Sequence, residues 1–123
     1  MNANNHEALN ILVDLHGDFV KAAKPVLRDA HNPIGCYEME VAMTRVMDFQ
    51  RALNLVGIGR TGEAADIIEE YAQEYEKNAQ QNAGLKAGFW SRVTKEMVKN
   101  AKTLSKEQEH KAGQLRHVLT LIR

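Results

Sequence analysis

The chain has 123 residues, 16 basic side chains balanced by 16 acidic ones, 44% hydrophobic residues, one cysteine, eight glycines and two prolines. A chain of this length buries roughly 65% of the surface its unfolded form exposes. A single domain over residues 1–123 is therefore expected to hold its core without a metal, and the lone Cys36 excludes an internal disulfide. Zero formal net charge argues against a protein that coats nucleic acid through its overall field, and no apolar run approaches the roughly 20 residues of a membrane span.

Proline and glycine are sparse while Ala, Leu, Glu, Lys and Gln are abundant, so the summed helix propensity is high and strand signals are nearly missing. Met1 to Asn5 lacks the basic-then-apolar order of a signal peptide, and a cytoplasmic location is expected. Asn4 or Asn5 can cap a first helix whose apolar residues Ala8, Leu12, Leu15, Phe19, Ala22 and Val26 recur at steps of four and three. A second row, Leu9, Val13, Val20, Ala23 and Leu27, widens that arc toward two neighbours. Pro25 falls on the polar side, where it is expected to kink or restart the helix.

Asn32, Pro33 and Gly35 mark a loop over 30–36. Met39, Ala42, Val46, Phe49, Leu53 and Val56 then define a second helix ending near Gly57 and Gly59, with Met43 and Met47 widening its apolar side. The methionine row Met39, Met43 and Met47 is either the wide buried face of a central helix, the reading preferred here, or an adaptable partner surface. Thr61 can cap a third helix carrying Ala64, Ile68, Tyr71, Tyr75 and Ala79, which fades over 78–84. A fourth is expected from about Leu85, striped by Trp90, Val93, Met97, Ala101 and Leu104. The capping-box form of Ser105 to Gln108 suggests a fifth, burying Ala112, Leu115, Leu119 and Ile122, with one long helix from Leu85 as the alternative. The expected fold is all-α, a compact bundle of four to five helices, with the first two as its central pair.

Gly57, Gly59 and Gly62 fit G-x-G-x-x-G ahead of a helix, but a dinucleotide site needs a strand before the first glycine, and 48–56 is the end of a helical stripe. The segment is read as a helix-to-helix turn. Gly59 to Ala64, leading to Ile67, Tyr71 and Tyr75, resembles the inter-helix turn of tetratricopeptide-type hairpins over about one repeat of 34 residues. What this implies is an antiparallel helical hairpin.

Charge is segregated: residues 1–85 carry 7 basic and 13 acidic side chains, and residues 86–123 carry 9 basic and 3 acidic. At 100° per residue, Arg92, Lys95, Lys99, Lys102 and Lys106 fall in one narrow row opposite the Trp90, Val93, Met97 and Leu104 stripe. Glu63, Asp66, Glu69, Glu70 and Glu74 lie away from the apolar side of the third helix, so the two charged faces are expected not to pair extensively within one molecule. Either face suits a charged macromolecular partner, and solvation alone is the bland alternative. The ridge is mainly Lys, which favours an acidic protein face over base readout, where Arg and stacking aromatics are wanted.

Metal and nucleophile patterns are thin. Glu107 and His110 form a single E-x-x-H where di-iron bundles use pairs, and His31 with Cys36 supplies too few zinc ligands. His16 is expected to make a local hydrogen bond beside the apolar arc, and His110 and His117 to share an outer face. The expectation is a small non-enzymatic interaction protein without cofactor or metal, an adaptor or inhibitor in the style of mobile-element or phage proteins. Its partner is expected to be a protein rather than a membrane, with nucleic-acid binding through residues 92–106 as the alternative and self-association as a further arrangement.

Overall fold

The computed structural model describes residues 2–28, 33–88 and 92–123, with 33–36 described by backbone alone. Among the described residues there are four helices and no strand: α1 Ala3–Arg28, α2 Pro33–Gly57, α3 Thr61–Ala83 and α4 Lys95–Ile122. The expectation of an all-α fold of four to five helices is met, with four among the described residues. Trp90, His31 and the side chain of Cys36 lie outside the described residues.

The helix starts and the end of α2 have local chemical causes, and several differ from the expectation. The side chain of Asn2, not of Asn4 or Asn5, caps α1 by accepting the N–H of Asn5 at 2.7 Å. α1 passes through Pro25 without ending, and α2 already starts at Pro33, a residue whose fixed φ and missing N–H suit the first helical position. Of the expected loop over 30–36, residues 33–36 are helical, and 30–32 lie outside the described residues. α2 closes in a Schellman arrangement, in which Arg60 N–H donates to Leu55 C=O at 2.8 Å and Gly59 N–H to Val56 C=O at 3.1 Å. Gly59 takes φ of 84° there, the left-handed conformation that glycine adopts without strain. The G-x-G-x-x-G segment is thus a helix-to-helix turn. Arg60, whose carbonyl accepts Ala64 N–H, takes the cap position expected of Thr61.

The chain forms two compact units, Met1–Ile67 with Thr120–Arg123, and Ile68–Leu119. In the first, α1 and α2 pack antiparallel, with the rings of Phe19 and Phe49 4.8 Å apart. Ala8, Leu12, Leu15, Phe19 and Ala23 are buried on α1, and Phe49, Ala52, Leu55 and Val56 on α2. The expected broad second row of α1 is only partly covered, since Val13 and Leu27 are exposed. Met43 and Met47 are exposed as well, the latter at 64%, which overturns their reading as core. At 100° per residue they lie about 120° to 180° around the helix from Phe49, Ala52 and Val56. His16 Nε2 is buried and has no hydrogen-bond partner, contrary to the expected local bond.

In the second unit, residues 68–83 of α3 run antiparallel to α4. Small residues allow close approach here: Ala72 and Ala79 on α3 face the same interior as Ala101, Ser105 and Ala112 on α4. Ser105 was the expected start of a fifth helix. It lies inside α4 instead, 4% exposed, and its hydroxyl donates to Ala79 C=O at 2.7 Å. The α4 start falls at Lys95, ten residues later than expected from Leu85, where Thr94 Oγ1 accepts Met97 N–H at 3.1 Å. Met97 and Leu104, expected in the apolar stripe, are exposed, because the buried row runs through Ala101, Ser105, Ala112, Leu115 and Leu119.

Candidate functional site

The buried row of α4 fixes where its charges go. Residues 95, 99, 102 and 106 lie roughly 100° to 160° around the helix from Ala101, so Lys95, Lys99, Lys102 and Lys106 are turned to solvent. All four are exposed and form a line about 16 Å long at a 1.5 Å rise per residue. Arg92 is exposed too, but it precedes the helix, so helical spacing does not place it on that line. Among the described residues none of the five makes an ion pair.

Folding does not favour this row. Its neighbours stand three or four residues apart, where like charges cost an isolated helix about 0.2–0.5 kcal/mol per pair. Lys95 also sits at the N-terminal end of α4, where the helix dipole disfavours a cation, and Glu96 is the one acidic residue of the first turn.

The acidic set on α3 does not behave as one face. Asp66, Glu70 and Glu74 are exposed, and Glu63 is paired with Arg60 across one turn, its Oε1 accepting from Arg60 Nε at 2.8 Å. Glu69 departs from the expectation. It is half-buried and accepts from Arg116 Nη1 on α4, beside Glu76, whose two carboxylate oxygens accept from Arg116 Nη2 at 2.6 Å and Nε at 3.2 Å. The α3 and α4 charges therefore pair within the molecule at this edge, through Glu69 of the expected acidic face and through Glu76 and Arg116, which belong to neither expected face.

The hydrogen bond from Arg116 holds the Glu76 carboxyl below the ordinary carboxylate range, against the opposing effect of partial desolvation. The same bond raises Arg116. Arg116 could have been found from the sequence: it stands next to Leu115 at the edge of the buried row, facing α3, where Glu69 and Glu76 lie two helical turns apart. A solvent-open groove of about 510 Å³ lies beside this cluster, floored by Ala79, Ala112 and Gly113. Its strongest polar groups, Glu76 and Arg116, are already occupied by one another.

Glu107 and His110 are exposed, and among the described residues no three His, Cys, Asp or Glu side chains gather where they could share a metal ion. No helix of the described residues is long and apolar enough to cross a membrane. No protein-family model matches this chain, and neither a curated protein nor a solved structure is similar to it.

Proposed function

We propose that this chain is a small non-enzymatic interaction protein, an adaptor or inhibitor working in the cytoplasm, that docks through Arg92 and the Lys95, Lys99, Lys102 and Lys106 row onto an acidic protein surface. The carrying observation is that four lysines are aligned on one exposed helix face at some cost to the helix, with no acidic partner among the described residues. A merely solvated face needs charge but no such alignment. A row of cations spaced over about 16 Å speeds encounter with an acidic face and fixes orientation more than it adds affinity.

The test is capture from lysate of the native cells with the wild-type chain and with a Lys99→Glu, Lys102→Glu, Lys106→Glu variant, followed by titration of the purified partner. Loss of the partner in the variant supports the reading. Displacement of the partner by duplex DNA moves the row to nucleic-acid phosphate instead, and equal binding by both chains removes the row from function.

A further inference from the structure

The outer face of α2 carries an apolar feature that folding leaves unused. Met43 and Met47 stand one turn apart, 36% and 64% exposed, on the side of the helix opposite Phe49 and Val56. Two charged residues flank them. Glu40 and Arg51 are both exposed, neither has an ionic partner among the described residues, and they lie about 20° from each other around the helix. Along the axis they are about 16 Å apart, too far to pair within one chain.

Their positions have a symmetry that a second copy would satisfy. The midpoint of Met43 and Met47 falls at position 45, and the midpoint of Glu40 and Arg51 falls half a residue from it. When α2 meets α2 of another molecule antiparallel, about a two-fold axis at that level, Met43 lies against the partner's Met47 and the converse. Glu40 then comes within about 1.5 Å of the axial level of the partner's Arg51. A two-fold axis perpendicular to both helices keeps the same flank of each helix on the same side, so the carboxylate and guanidinium face one another, and they do so twice.

We infer that this face of α2 is a self-association surface, on which a second copy of the chain docks antiparallel, burying the two methionines between two symmetric Glu40 to Arg51 ion pairs. The thioether side chains suit such a contact because they adapt to one another without a preformed socket. With only two apolar residues per copy at its centre, the dimer is weak and concentration-dependent. The inference is independent of the lysine row on α4.

Sedimentation equilibrium of the full chain up to about 1 mM, near neutral pH, tests it. Wild type is expected to pass from monomer to dimer across that range. Glu40→Arg and Arg51→Glu, each alone, place like charges opposite one another twice and are expected to weaken the dimer about tenfold or more. The two substitutions together restore opposite charges with the signs exchanged, so the double variant is expected to return close to wild type. Met47→Lys, which keeps the helix and removes the apolar centre, should abolish the dimer. Circular dichroism of all four variants confirms that the helices persist. A wild-type chain that stays monomeric overturns the inference and leaves the methionines to a helix of another protein. A dimer indifferent to the single reversals, or a folded double variant that does not recover, also overturns it.

Discussion

The Ser105 hydroxyl reaches across to the carbonyl of Ala79 at 2.7 Å, a bond between two helices made by a buried residue in the middle of α4. Serine with a glutamine three residues on is the form of a helix start, and here the same residue serves instead as a small polar contact that lets α3 and α4 approach closely. Its neighbours in the buried row, Ala101 and Ala112, are as small. Ser105→Ala is expected to cost about 1 kcal/mol, the net worth of one hydrogen bond. Ser105→Leu should cost about 1–3 kcal/mol through overpacking, although leucine is the better helix former. Urea melts of both variants check this. A stabilised Ser105→Leu protein would mean that the two helices do not meet there.

Phe49 and Met47, two residues apart on α2, lie on opposite sides of it, at 1% and 64% exposed. Phe49→Ala is therefore expected to cost about 3–5 kcal/mol, with loss of its contact to Phe19. Met47→Ala at low protein concentration should change stability by less than about 0.5 kcal/mol. Equal costs in the two variants would return Met47 to the core.

The pair of Arg116 with Glu76 carries a pH dependence of definite sign. The folded carboxyl titrates below its ordinary value, so the contribution is present above the ordinary carboxylate range and is lost as pH falls through the lowered value. Both side chains are more than a third exposed, and solvent screening keeps the effect under about 1 kcal/mol. Glu76→Gln should be slightly less stable than wild type at pH 7, with the difference closing as the medium is acidified below about pH 4. Paired urea midpoints over that range test it, and a gap that persists unchanged in acid would show that the ionised carboxylate is not its source.

Helix existence was readable from the sequence because steps of three and four dominate it, and the buried set of α1, from Ala8 through Leu12, Leu15 and Phe19, was legible residue by residue. Helix ends were less so. Pro25 reads as a break and Ser105 as a start, yet α1 and α4 continue through both, because packing along a whole helix outweighs one local preference. Periodicity also cannot say how far a neighbour extends. Met43, Met47, Met97 and Leu104 stand at plausible apolar positions and are exposed, since an apolar residue is buried only where another element covers it. The lysines of the basic row were placed correctly on the solvent side for the converse reason: burying an unpaired ammonium is too costly for any arrangement of the core to demand. Arg116 escaped because its partners come from another helix, so that only its place beside Leu115 taken together with the two-turn spacing of Glu69 and Glu76 on α3 points to the pairing.

The basic row itself gives the sharpest test, since stability and binding should part company there. Reversing Lys99, Lys102 and Lys106 to glutamate keeps similar helix propensity, removes like-charge neighbours at three and four residues, and leaves the buried row of α4 untouched. The melting temperature is therefore expected to hold or rise slightly. Binding to an acidic partner should fall by about tenfold or more, because three attractions become repulsions. The loss should be mainly in the association rate, and raising salt should slow the wild-type association toward that of the variant. If the partner is duplex DNA instead, the logarithm of wild-type affinity must fall against the logarithm of salt with a slope of about −0.9 per phosphate neutralised. Reversal of three contacted lysines should then flatten that slope by about 3. Stopped-flow association and salt titration of wild type and variant distinguish these outcomes. A variant that melts as wild type does and binds its partner with unchanged rates at low salt would leave the row a solvated face.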